Sequence, residues 1–195
     1  MKIKTTLCLF VICLAAFTLP AHAETITLSV ADTVSSGSSF DVLVKVNGLF
    51  DGRTFDDTLL AYGFNVTVGN SSIFSYTGET AGSLFDDLSI PGGNPMVAGI
   101  AQNLLGVGPS DFMGPLTLAT LHFDALGVGT TTIGVTWDSS DLNQGLVYFD
   151  LPYGGIDASK TVTSASTVPE PSSILMSAAG LGFLAFACRR RRSRL

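Results

Sequence analysis

Between its two ends this 195-residue chain predicts an all-β fold, an antiparallel sandwich of about nine short strands. Three observations lead there. Apolar residues recur at every second position over short runs, the period of a strand with one face buried. Glycine-rich turns separate those runs, and no amphipathic helical period appears among them. The long apolar runs lie at the termini instead, so the sandwich (24–166) is flanked by an N-terminal signal peptide (1–23) and a C-terminal segment (167–195) holding a transmembrane helix.

Met1 to Ala23 has the three parts of a secretory signal. Lys2 and Lys4 give the positive start, Leu7 to Leu19 the apolar stretch, and Ala21-His22-Ala23 the small-x-small cleavage site, which releases the chain before Glu24. In the first strand, Ile26, Leu28 and Val30 alternate with Thr27 and Ser29. After the turn Ser35-Ser36-Gly37-Ser38-Ser39, a second strand sets Phe40, Val42, Val44 and Val46 on one face. Tyr62, Phe64, Val66 and Val68 form the next inward set, and Ile73 to Thr77 a short strand after the Gly69-Asn70 turn. From Glu79 to Asn94 glycine, proline and paired aspartates interrupt the pattern, which resumes over Met96 to Gln102. Beyond the loop Gly106 to Gly114, Ala119, Leu121, Phe123 and Ala125 point one way and Thr120, His122 and Asp124 the other. Thr131, Ile133, Val135 and Trp137 follow as an inward set, which makes Trp137 a core residue. Leu146 to Leu151 and a weak Thr161 to Ser166 complete the series. Many short strands with glycine-rich turns and no helices imply two packed antiparallel sheets.

The C-terminal segment opens with Val168-Pro169-Glu170-Pro171. Two prolines fix φ and remove two backbone donors, so Glu170 is held in an extended stretch that a processing enzyme can grip. An uncharged run from Ile174 to Cys188 follows, within a predicted transmembrane helix over 173–188. It is slightly short of the roughly 20 residues that cross a membrane, a gap that flanking serines and snorkelling arginines bridge. Arg189, Arg190, Arg191, Arg192 and Arg194 then hold the C-terminus in the cytoplasm by the positive-inside bias, leaving the sandwich on the outer side.

A Pro-Glu-Pro triplet, a short apolar helix and an arginine-rich end, in that order over about the last 28 residues, resemble the PEP-CTERM sorting signal of Gram-negative bacteria. The resemblance implies that an exosortase, an integral-membrane cysteine transpeptidase-like enzyme, recognises Pro169, Glu170 and Pro171 and removes the tail. It also implies a host that makes exopolysaccharide and displays or releases such proteins in a biofilm or floc matrix. The strand series is similar to cohesin-like domains, through Ile26 to Val30, Phe40-Asp41-Val42, Asn47-Gly48-Leu49, Tyr62-Gly63-Phe64 and Leu118 to Phe123. That resemblance implies a nine-stranded jelly-roll sandwich related to carbohydrate-binding modules. Cohesins bind dockerin modules through one sheet face; no residue of such a face carries over, and the insertion between Tyr76 and Met96 departs from the pattern.

Composition narrows the function. Residues 24–168 hold 15 acids against Lys45, Arg53 and Lys160, a net charge of −12, and no nucleic-acid groove can be assembled from three bases. Cys8 and Cys13 belong to the signal peptide and Cys188 to the tail, so the sandwich has no disulfide and no thiol chemistry. His122 is its single histidine, on the outward side of a strand, and no Gly-x-Ser-x-Gly elbow accompanies it. Asp56-Asp57 and Asp86-Asp87 are the paired carboxylates that a glycosidase would need, though adjacent aspartates on loops usually face water. No cofactor is expected. Those aspartate pairs could equally offer oxygen ligands to Ca²⁺, but the best stretch for it is 138–145, through Asp138, Asp141 and Asn143, and its spacing does not fit the EF-hand loop.

The expectation is a non-enzymatic protein, exported by the Sec machinery, held transiently in the inner membrane, processed by exosortase, and delivered to the cell surface or extracellular matrix. Its role there is structural or adhesive, with extracellular polysaccharide or another surface protein as partner. The alternatives are a carbohydrate- or protein-binding module with a defined ligand and, least favoured, a secreted hydrolase.

Overall fold

The computed structural model describes residues 24–53, 56–150 and 153–166. Eleven strands form among them, and no helix: β1 (Thr25–Ser29), β2 (Thr33–Ser35), β3 (Ser39–Asn47), β4 (Leu59–Val68), β5 (Phe74–Ala81), β6 (Phe85–Asp87), β7 (Val97–Ala101), β8 (Leu116–Ala125), β9 (Gly129–Thr136), β10 (Gly145–Tyr148) and β11 (Ala158–Ala165). One sheet runs β1-β3-β8-β5, the other β2-β11-β9-β4-β7-β6, with β10 added on β4. The described pairings are antiparallel except β2 with β11. The all-β sandwich expected from the sequence is therefore present. Its two additional strands, β2 and β6, have three residues each. Three residues are too few to display a period, and β6 lies inside the interrupted stretch.

The inward faces follow the alternation. Val42, Val44 and Val46 of β3 meet Tyr62 and Phe64 of β4, Ile133 and Val135 of β9, and Val162 of β11 in one buried core. Aromatic edges tie it together: Phe40 stacks on Phe123 at 5.6 Å and meets Phe74 edge-on at 5.0 Å, while Tyr62 meets Phe85 edge-on at 5.0 Å. Each fully buried large side chain of this kind stabilises the fold by roughly 1.5–3 kcal/mol. The face of β8 changes parity at one point. Val44 pairs with Ala119 but Lys45 with Thr117, so Leu118 is an extra residue in the ladder. This bulge turns Leu116 and Leu118 to the same interior as Ala119, Leu121 and Phe123.

At one end β4 is shared. Asn65–Val68 pairs with β9, whereas Leu59, Ala61, Tyr62 and Gly63 pair with β10, which takes over where β9 leaves. Trp137 lies at this transition, half-buried against the core as its parity predicted. Gly145 stands beside it at φ 93°, where a Cβ would come within 2.9 Å of the indole and 2.6 Å of the Gly154 carbonyl. Only glycine fits. The loops around β10, before β4 and between β7 and β8 gather at this end, and they build the site.

Candidate functional site

Of the residues that the sequence singled out for sorting, Ala21, Ala23, Pro169, Glu170, Pro171 and the arginines 189–192 and 194 lie outside the described residues, as does the predicted transmembrane helix. Glu24 is described, and it is tied down. Its Oε1 accepts hydrogen bonds from Arg53 Nη2 at 2.9 Å and from the Tyr148 hydroxyl at 2.8 Å. Arg53 Nη1 donates to Asp57 Oδ2 at 3.0 Å, and the guanidinium lies over the Tyr148 ring, 3.4 Å from its centre. Asp57 is only 1% exposed; its other oxygen accepts from the backbone N–H groups of Thr58 and Asp150. Burial works against the charge of Arg53, but hydrogen bonds to Glu24 and Asp57 outweigh it and hold the guanidinium pKa above its ordinary value. Burial, and then the Glu24 carboxylate, push the Tyr148 phenol well above 10. Asp57 is thus a structural carboxylate rather than one facing water, and this cluster was not read from the sequence.

The proposed calcium ligands come together in one turn. Asp138 Oδ1 accepts from the Ser140 N–H and hydroxyl, and Asp141 Oδ1 from the N–H and side-chain amide of Asn143. Hydrogen bonds from Ser140 hold the Asp138 carboxyl below the usual 3.8, and those from Asn143 and Gln144 do the same for Asp141. Gln144, fully buried, knits this turn to Asn94 at 2.6 Å and Asn65 at 3.2 Å. Among the described residues no group of three or more His, Cys, Asp and Glu side chains is arranged to hold a metal ion.

His122 sits on the outer face of β8, with Nδ1 2.8 Å from Asp41 Oδ1 and Nε2 2.9 Å from Thr80 Oγ1. Its two partners are an aspartate of β3 and a threonine hydroxyl of β5, the strands on either side of β8. Asp86 and Asp87 are exposed on edge strand β6, and Asp87 accepts from the Ser89 N–H at 2.8 Å.

The concavity of interest lies beside the arginine cluster. A cleft of about 660 Å³ is lined by Asp56, Thr58, Asn103, Leu105, Asp111 and Phe149, with Gly106, Gly108, Pro109 and Ser110. Its walls are joined by hydrogen bonds. Leu59 and Val107 exchange both N–H···O bonds at 2.9 Å, Thr58 Oγ1 donates to the Leu105 carbonyl at 2.6 Å, and Phe149 N–H reaches the Thr58 carbonyl at 2.9 Å. Leu105 and Phe149 are nevertheless 74% and 69% exposed. One signal for this cleft was present in the sequence. With Leu146 and Tyr148 inward, Phe149 falls on the outward parity, where a large apolar ring has no packing reason to be.

Residues 167–192 match the family model for the PEP-CTERM protein-sorting motif. The motif implies export, membrane-anchored transit and exosortase processing. Among solved structures the sandwich is similar to the cohesin module of a family 33 glycoside hydrolase from Clostridium perfringens. The TM-score is 0.55 at 14% identity, over 75% of this chain and 99% of that one. The fold is cohesin-like. The sixth cohesin of scaffoldin B from Acetivibrio cellulolyticus, solved in complex with a Cel5 dockerin, matches at 14% identity over 73% of this chain and 99% of its own, with TM-score 0.47. The second type II cohesin module of the adaptor ScaA scaffoldin from the same organism matches at 16% identity over 78% and 98%, with TM-score 0.41. No curated protein matches the chain. Set on the cohesin-like sandwich, the cleft belongs to the loops at one end, lined from the segments before β4, between β7 and β8 and after β10.

Proposed function

We propose that this chain is an exported, exosortase-processed, non-catalytic protein of the cell surface or extracellular matrix, where its cohesin-like sandwich serves a structural or adhesive role associated with exopolysaccharide. One observation carries the reading: a PEP-CTERM motif over 167–192 follows directly on a sandwich whose last strand ends at Ala165. In this organisation residues 1–23 direct export, 24–166 form the working domain, and 167–195 place it. The arginine tail stays cytoplasmic until Pro169, Glu170 and Pro171 are recognised. Asp57, one carboxylate of the pair a glycosidase would use, is buried and engaged by Arg53 and by the backbone N–H groups of Thr58 and Asp150. Fractionation of the producing cells tests it. The sandwich is expected in the washed polysaccharide matrix or on the outer surface, and a strain lacking the chain is expected to lose matrix cohesion. Recovery solely from the periplasm, with an unaltered matrix in the deletion strain, contradicts the reading.

A second reading, a binding module with a specific ligand, is favoured by the preformed cleft at Phe149. An apolar concavity with a few polar groups, held by hydrogen bonds before any ligand arrives, is the usual form of a recognition site. The cohesin-like fold supports another protein as that ligand.

A further inference from the structure

The cleft's lining restricts what can enter it. Leu105 and Phe149 supply exposed apolar surface within one concavity, the kind of surface that marks an interaction site. Its charged members are Asp56 and Asp111, and none of the described lining residues is a base. The three bases of residues 24–168 are elsewhere: Arg53 closes on Glu24 and Asp57, Lys160 pairs with Asp32 at 2.8 Å, and Lys45 lies on β3. A net charge of −12 over the same residues reinforces the negative field, which repels acidic ligands and attracts basic ones.

Charge and apolar surface, more than the polar groups, favour a basic peptide over a neutral glycan. Part of the polar lining is engaged within the loop itself. Here Asn103 Oδ1 already accepts the Leu105 N–H at 3.1 Å, Asp111 Oδ2 accepts the Gly108 N–H at 2.7 Å, and the Thr58 hydroxyl is given to the Leu105 carbonyl. These bonds fix the loop and reduce the ordering cost of binding. What they leave for a ligand is apolar contact, the Asp56 carboxylate, the second oxygen of Asp111 and the Asn103 amide N–H groups, a set dominated by apolar surface and negative charge. A cleft of about 660 Å³ suits inserted side chains rather than a folded domain.

We propose that this cleft docks a segment of a partner protein that inserts a leucine or aromatic side chain against Phe149 and Leu105 and places lysine or arginine beside Asp56 and Asp111. The proposal rests on reading the sandwich as a binding module, and it names the chemistry of that module's ligand.

The test uses the chain expressed with both terminal signals and recovered after export, screened against a positional-scanning library of acetylated, amidated pentapeptides. Selection of a central leucine or aromatic with basic neighbours is expected. The selected peptide should lose tenfold or more in affinity on Phe149→Ser or Leu105→Ser. The Asp56→Asn/Asp111→Asn double variant should weaken it and flatten its salt dependence, since asparagine keeps the acceptor of the Gly108 bond. Absence of selection, a preference for acidic neighbours, or affinity unchanged by these variants overturns the proposal. So does tighter capture of an uncharged oligosaccharide than of any peptide when that capture is lost in Phe149→Ser, since the cleft is then a glycan site. Matrix retention of the unsubstituted chain separates the two readings: a chain retained in the matrix that selects no peptide sinks the cleft proposal alone, and one that selects the peptide but is not retained sinks the matrix role alone.

Discussion

Arg53 is one of three bases in an acidic domain, and it holds two carboxylates while lying over the ring of Tyr148. A buried charge with its partner removed costs far more than the pair contributes. Arg53→Met is therefore expected to destabilise the sandwich by about 3–5 kcal/mol in chemical denaturation, because Glu24 and Asp57 are left without their cation; a loss under about 1 kcal/mol would show that water reaches the pair. The residues of this cluster are spread from position 24 to position 150, so no local pattern announces it. Asp56-Asp57 looked like two solvated acids for that reason, whereas the outward parity of Phe149 did carry a readable sign of the cleft. The turn carboxylates give a pH prediction. Asp138 and Asp141 have depressed pKa values, so the ordering they lend is present above pH 3.8 and is lost as pH falls through their lower folded values. The protection of the Ser140 and Asn143 amides, the donors to those carboxylates, relative to the intrinsic exchange rate at each pH should fall below pH 3.8 and stay constant between pH 5 and 7. The opposite sign holds for Tyr148, whose raised pKa leaves its contribution intact below 10 and removes it as pH rises further. Alkaline unfolding that begins near pH 10 and is delayed in Tyr148→Phe is the expected result; a Tyr148 that ionises in the folded state at pH 10 is the contrary one.

The strands show where period-two reading works and where it stops. β3 kept strict alternation and β9 broke it only at the buried Gly134, and Val42, Val44, Val46, Ile133 and Val135 are all fully buried or nearly so. On β8 the expected set Ala119, Leu121, Phe123 and Ala125 is inward, but the bulge at Leu118 adds Leu116 and Leu118 to it. A bulge is set by the partner strand's register, which a single strand's sequence does not contain. β2 and β6 were illegible for a simpler reason, since three-residue edge strands have no period to read. Deleting Leu118 should remove the bulge, leave Leu116 inward and opposite Val46, and cost about 1.5–3 kcal/mol, the burial of one leucine. A loss of about 6 kcal/mol or more would mean that the register slips and Leu116 leaves the core as well. At the β9-to-β10 transition, Phe64→Ala is expected to cost about 3–5 kcal/mol through the cavity it leaves.

Taken whole, the chain separates its instructions. The sandwich has no cysteine to cross-link it and must rest on its packed core, which suits a domain that folds after export. Its placement is written in the ends, in residue types and order rather than in a folded surface, which is why the sorting signal was fully legible in sequence while the cleft was not. Glu24 joins the two levels: the residue exposed by the expected signal cleavage is also a member of the Arg53 cluster, so correct cleavage and a complete cluster coincide. The most direct measurement is the intact mass of the protein recovered from the culture surface and medium, comparing the native chain with Pro169-Glu170-Pro171→Ala-Ala-Ala. The account predicts a native chain that begins at Glu24 and has lost its arginine tail, and a triple variant that keeps the tail and stays in the inner membrane. A tail retained by both, with both in the inner membrane, contradicts exosortase processing and with it the placement of this sandwich in the extracellular matrix.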